Sequence, residues 1–353
     1  MSTERRGAQR GFVLAVTLWI LAAITLAVAL LTLWSYEEVR EASDARDRTA
    51  DAIAMASTRD ALLYLGATRE VTLAGLPTRA LTEAERASLR LQEFGALRTD
   101  PRGGELRLDG TVYRGRGAAR FALQDEAGLL GLLLPTSALV DRYLESAGVR
   151  REQIGRLRDA LLDYIDEDRL KRLNGAEQRE YEQAGREPPP NRRPLIPGEV
   201  LRALGWSELP AGVRARLPEE ATVFYSGAVN LNTAPESLLA TWLPGCPQTC
   251  RTVVARRRTQ PFASGLEVQT VAGVRLPGDP LIDYRVLPSD TLRMTLWGRT
   301  GAGWRIHVRF TPLADKRAPW SILAAYPVPR PSSDAPAQDP GSDLLADAAP
   351  DRP

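Results

Sequence analysis

The sequence predicts an α+β protein: a long N-terminal helix, a head of β-strands, and a large helical block inserted between those strands. Three observations carry this. From Phe12 to Leu65 there is no Gly and no Pro. Strand-like segments lie on both sides of the middle of the chain, GELRLDGTVYRG and AARFALQDE before it, DTLRMTLWGR, GWRIHVRFTPL and SILAAYP after it. The middle itself, roughly 135–274, is helical in its apolar spacing. At 353 residues the chain suggests two or more domains, and its formal net charge of +2 implies no strongly acidic or basic partner for the whole molecule.

The first element opens with Phe12–Tyr36, FVLAVTLWILAAITLAVALLTLWSY, which carries no charged side chain. A bilayer needs about 20 apolar residues. A secretory signal peptide has a shorter apolar core with its small-residue cleavage site behind it. Here the small residue, Gly11, lies in front, so removing Met1–Gly11 leaves the apolar helix as the new N-terminus. A plain signal anchor is the other reading of these residues. Arg5, Arg6 and Arg10 precede the span and Glu37-Glu38 follow it, which puts the leader in the cytoplasm and the rest across the membrane. Beyond the span, Val39, Ala42, Ala45, Ile53, Ala56 and Leu63 keep a helical period between charged residues. One helix is therefore expected over 12–65, about 80 Å long and ended by Gly66. A second short helix is expected at Thr82–Phe94, opened by a Thr82-x-x-Glu85 capping box.

The middle contains TSALVDRYLESAG and REQIGRLRDALLDYIDED, with Ile154, Leu157, Leu161 and Ile165 on one helix face. Strands resume after about Pro280 with LIDYRVLP, and the Pro/Asp/Ala-rich tail after Pro327 predicts disorder. Asp163, Asp166, Asp168 and Glu177 surround a helix end, with a turn at Asn174-Gly175. A hard cation such as calcium takes six to eight oxygens of this kind; equally, Arg169, Lys171 and Arg172 can neutralise the acids as a solvated charged loop. Cys246 and Cys250 sit four apart. One helical turn or a tight loop brings two Cα atoms within disulfide range, and the compartment beyond an inner membrane is oxidising; two free thiols are the alternative. Zinc finds no ligand set, because His307 stands alone and far from the cysteines. There is no GxSxG, phosphate loop or HExxH, and no marked acid/base couple, so an enzyme is not expected.

Gly11-Phe12 ahead of an apolar helix resembles the type IV pilin and pseudopilin class, in which a prepilin peptidase cuts after the glycine and the next residue, usually Phe, is N-methylated. The resemblance implies Gly11 and Phe12 as that site. Most members carry Glu at the fifth mature position, where this chain has Val16. The segments FALQDEAGLLG (121–131), LLDYIDEDRLKRLNGAEQREYEQAGREPPPNRRPL (161–195), AVNLNTAPESLLATWLPG (228–245) and ARRRTQPF (255–262) resemble the K-type minor pseudopilin of type II secretion systems in order and spacing. The likeness covers Gly11 to about Leu313. One departure is Gly128-Leu-Leu-Gly-Leu-Leu, where the family commonly shows Gly-x-x-Asn-Leu-Asn.

What the resemblance implies is a structural protein at the tip of a short periplasmic filament. It divides the chain into a leader (1–11), an N-terminal helix (12–65, with 12–36 transmembrane), a pilin-like head (66–134 and 275–327), an inserted helical domain (135–274) and a disordered tail (328–353). It implies bound calcium, here at Asp163, Asp166, Asp168 and Glu177. Its partners are the prepilin peptidase and sister pseudopilins of the I and J types, then H and the major G type. Its location is the inner membrane, single-pass, with the N-terminus cytoplasmic before processing and the head periplasmic. A minor pilin of a type IV pilus is the neighbouring alternative, and a membrane-anchored helix-hairpin-helix DNA-binding receptor is the alternative from a different class. The segment from Val229 onward is also similar to helix-hairpin-helix modules, some of which bind DNA, with Thr233-Ala-Pro-Glu236 as a capping box. Its turn reads Gly245-Cys246-Pro247, and proline offers a phosphate no N–H. Arg256, Arg257 and Arg258 read as a solvated face, so no nucleic acid is expected as a partner.

Overall fold

A computed structural model of the chain describes residues 10–90, 99–134, 138–312, 318–331 and 336–346. It divides into two units, Met1–Ile53 and Ala54–Pro353. Helix α1 runs Arg10–Thr68. In the first unit its apolar stretch is long and apolar enough to cross a membrane. The hydroxyls of Thr17, Thr25 and Thr32 donate to the carbonyls of Leu14, Ala22 and Val28 on the same helix. Each threonine hydroxyl of the run is thus satisfied without water, as hydrocarbon would require.

In the second unit, the last turns of α1 place Leu62, Leu63 and Leu65 in a core against the sheet. The helix continues past Gly66, where the sequence predicts its end, to Thr68. Gly66 lies against the Phe310 ring; a Cβ there would come within 2.2 Å of Phe310 Cζ. Its lack of a side chain serves close packing, which outweighs its poor helix propensity. Next, β1 (Leu76–Pro77) pairs antiparallel with β2 (Glu105–Leu106). Between them is α2 (Glu83–Arg90), opened by the expected box: Glu85 N donates to Thr82 Oγ1 at 3.2 Å and Thr82 N to Glu85 Oε2 at 2.7 Å. The expected end of that helix, Phe94, is outside the described residues.

The strands β3 (Asp109–Arg114) and β4 (Arg120–Asp125) form a hairpin. The chain then leaves the sheet for β5 (Leu130–Gly131), α3 (Ala138–Ser146), α4 (Arg151–Ile165), α5 (Gln178–Gln183), α6 (Ala211–Glu220) and β6 (Ala221–Thr222). It continues through β7 (Val229–Asn230), α7 (Glu236–Trp242), α8 (Gln248–Thr259), α9 (Gly265–Ala272) and β8 (Tyr284–Arg285). The short strands pair in parallel, β5 with β6 and β7 with β8, so LIDYRVLP contributes only two ladder residues. The chain returns as β9 (Thr291–Trp297), β10 (Gly303–Phe310) and β11 (Trp320–Val328). The sheet order is β11-β10-β9-β4-β3, every neighbouring pair antiparallel. The fold is α+β, with a long N-terminal apolar helix and an antiparallel sheet.

Every residue of β9 is buried, because both faces of the sheet are covered. Leu292, Met294 and Leu296 face the α1 core; Thr291, Arg293 and Thr295 alternate with them on the other face, and Arg293 reaches the end of α6 there. A second, larger core lies within the helical block, around Trp206, Trp242, Tyr181 and Phe262.

Disorder was the expectation for 328–353, and the described part departs from it. Gln338 N donates to Val112 O at 2.9 Å, and Arg114 N donates to Gln338 O at 2.9 Å, a parallel bridge along the outer edge of β3. Leu345 is 1% exposed within the sheet core. A backbone edge needs hydrogen-bond partners whatever their side chains, and one leucine anchors an otherwise polar segment.

Candidate functional site

The point where the helical block joins the sheet is built around two adjacent carboxylates. Asp125, the last residue of β4, is fully buried. Its Oδ1 accepts from Ser289 Oγ at 2.6 Å, Ser289 N at 3.0 Å and Ala127 N at 3.1 Å. Its Oδ2 accepts from Asn230 Nδ2 at 2.8 Å and Thr233 Oγ1 at 3.0 Å. One side chain therefore ties the outgoing strand to the returning segment and to the entry of α7. Burial pushes its carboxyl above the usual range, against the pull of these donors.

Glu126 faces the sheet instead. Its Oε1 lies 2.6 Å from His307 Nδ1 and 3.4 Å from Arg293 Nε, and His307 Nε2 lies 3.0 Å from the Tyr326 hydroxyl. Burial works to raise Glu126, but Arg293 and His307 outweigh it and hold the carboxyl below its usual range. Burial holds His307 below the usual imidazole value. The neutral ring then donates from Nδ1 to Glu126 and accepts at Nε2 from Tyr326. Arg293 also donates to Ala221 O at 2.8 Å and Glu219 O at 3.0 Å, and Arg305 pairs bidentately with Glu219. Sequence reading contained Asp125-Glu126 but gave neither a role. The available signal is an acidic pair closing the strand Arg120–Asp125 beside its apolar Phe121 and Leu123.

Of the four acids in the predicted loop, Asp163 and Asp166 are brought together. Arg172 Nη1 stands between them, 2.8 Å from Asp163 Oδ1 and 2.5 Å from Asp166 Oδ2. Asp168 turns its Oδ1 to Leu170 N at 2.7 Å. Gly175 permits the arrangement, since a Cβ there would lie 1.9 Å from Asp163 Oδ2. Burial raises the Asp163 carboxyl; burial raises Glu177 too, reinforced by the charges of Asp163 and Asp166. Among the described residues, no three His, Cys, Asp or Glu side chains are placed to hold a metal together. Three buried oxygens of this loop are nevertheless without hydrogen-bond partners: Asp166 Oδ1, Glu177 Oε1 and Asn191 Oδ1. The donors fit a hard cation in kind, with Arg172 supplying positive charge in its place. Asn191, unremarked in the sequence, belongs to this set, and its Nδ2 donates to Asp168 O at 2.5 Å.

Cys246 and Cys250 are joined as a disulfide across the start of α8, with Cα atoms 5.2 Å apart. The hairpin differs from the expectation in two ways. Thr233 does not cap α7; its hydroxyl donates to Asp125, and Pro235 is the N-cap. The arginine triplet is not a solvated face. Arg257 is buried and donates to Leu231 O at 2.9 Å and Ala234 O at 2.7 Å, with burial lowering its guanidinium to about 10. Arg256 reaches Glu267 at 2.9 Å, leaving Arg258 as the exposed member. Asn232 completes the hairpin, donating to Phe262 O and Val286 O and accepting from Phe262 N. Gly11 and Phe12 lie in the first turns of α1; residues 1–9 of the expected leader are outside the described residues.

No protein-family model matches the chain, and no curated protein matches it. Among solved structures it is similar to a chain of the GspK-GspI-GspJ complex from the type 2 secretion system of enterotoxigenic Escherichia coli. The identity is 15% and the TM-score 0.41, over 84% of this chain and 99% of that one.

Proposed function

We propose that the protein is a membrane-anchored minor pseudopilin of the K type, a structural subunit at the tip of a type II secretion pseudopilus. The observation that carries the reading is α1 itself. One unbroken helix, Arg10–Thr68, carries the Gly11-Phe12 junction in its first turn, contains a bilayer-length apolar run, and ends packed on an antiparallel sheet. A helical block inserted in the chain between the paired strands β4 and β9 adds bulk to the head, and Val16 takes away the carboxylate that would pair with a further subunit. Both features favour a terminal position. Sister subunits of the I and J types would bury their own N-terminal helices against α1, followed by H and the major G type. The head would stand in the periplasm with the anchor in the inner membrane. In this reading the acidic loop would hold a structural calcium ion through Asp166, Glu177 and Asn191, whose buried oxygens lack partners, with Asp163 drawn in as the ion replaced the Arg172 guanidinium and Asp168 shaping the turn.

Processing tests the proposal. Co-expression with a prepilin peptidase should shorten the chain by Met1–Gly11 and leave N-methyl-Phe12, read by intact mass. Gly11→Val should block the cut by crowding the scissile carbonyl. A mature protein that keeps its first eleven residues, or a cleavage indifferent to Gly11→Val, would overturn the reading.

A further inference from the structure

At the end of the sheet where β3 turns into β4, a cleft of about 580 Å³ lies between that hairpin, the β9–β10 turn and the C-terminal segment. Arg114, Arg120, Arg299 and Arg330 line it, and Asp339 is the one carboxylate among its described lining residues. Arg114 and Arg120 are direct register partners across β3 and β4. Like charges so opposed repel across an antiparallel pair. Asp339 answers only the first of them, at 3.3 Å, and that pair is largely exposed. The other two are gathered by the backbone, because Arg330 Nη1 donates to the Arg299 carbonyl at 2.6 Å.

Among the described residues, four guanidinium groups thus share one cleft with a single weak counter-charge on its lining. We propose that this cleft binds a phosphate-bearing anion, held chiefly by Arg120, Arg299 and Arg330. The planar guanidinium fork matches phosphate oxygens in pairs, which a point charge does not. Asp339 acts as the internal competitor, occupying Arg114 until the anion arrives. The ligand is either a free phosphate-bearing solute or a phospholipid headgroup, since both present the same group.

Isothermal titration of pyrophosphate into the full chain in detergent micelles tests this. Saturable binding is expected, weakening steeply as salt rises. Arg120→Ala with Arg330→Ala should weaken it about tenfold or more without altering the melting temperature, because both side chains are exposed. Asp339→Asn should tighten it. In nanodiscs, pyrophosphate binding reduced by phosphatidylglycerol but not by phosphatidylcholine would identify a headgroup as the source. Equal binding in both would identify a free solute. A titration without heat at millimolar pyrophosphate would overturn the proposal, as would a double variant that binds as tightly as the parent.

Discussion

A carboxylate taken out of water must be answered atom by atom, and Asp125 is answered five times, from three separate stretches of chain. Asp125→Ala would orphan the buried donors of Asn230, Thr233 and Ser289, at about 1–3 kcal/mol for each that finds no substitute. The expected loss is of order 3 kcal/mol or more, read as a lower denaturant midpoint. Its neighbours set a pH dependence. Glu126 titrates below its ordinary 4.5, so its contribution is complete above that pH and is lost as pH falls through the folded value. His307 titrates below its ordinary 6.5, so the folded state binds fewer protons than the unfolded one just under that value. Stability therefore rises with pH through both windows. Stability measured from pH 4 to 8 should be flatter near 6 for His307→Gln and flatter on the acid limb for Glu126→Gln. Identical slopes in parent and variants would refute the assignment. None of this was legible in sequence: a buried Asp and an exposed one have the same letter, and every partner of Asp125 except Ala127 lies more than a hundred residues away in the chain.

Among the elements, local chemistry was legible and its redirection was not. The Thr82–Glu85 box opens α2 as its spacing predicts, because both groups are exposed and nothing competes for them. The same spacing at Thr233–Glu236 fails, since a buried carboxylate is a better partner for the hydroxyl than a helix end. Arg257 looked like part of a charged face, yet it holds the turn before α7 by two carbonyls. Arg257→Ala should loosen that hairpin and speed hydrogen exchange across residues 229–242, whereas Arg258→Ala should do neither. The acidic loop makes the opposite kind of prediction. Calcium at a hundredfold excess over its dissociation constant should stabilise the protein by about 2.7 kcal/mol. Glu177→Gln should remove the calcium response and, with chelator present, melt higher than the parent, because a carboxylate raised by its neighbours strains the folded state. A parent whose melting ignores calcium would leave Arg172 as the loop's permanent counter-charge.

For the whole molecule, the class was legible in the alternation of strand and helix patterns, but the strand order was not, because it depends on pairings between distant segments. The tail misled for a related reason. Composition sees prolines and aspartates, while the edge of β3 sees N–H and C=O groups. Ending the chain before residue 336 should strip Leu345 from the core, cost about 2–3 kcal/mol, and bare β3 as a template for self-association, visible by light scattering. The adjacency of β4 and β9 has a consequence in time. Residues 126–290 must all be synthesised before β4 can meet its partner, a closure whose entropy cost grows only slowly with loop length. In the interval, the bare flank of β4 is the stretch most open to wrong pairing. A helical block that folds early, drawing Asp125 toward Asn230, would shorten that wait by holding the flank in place for a strand still to come.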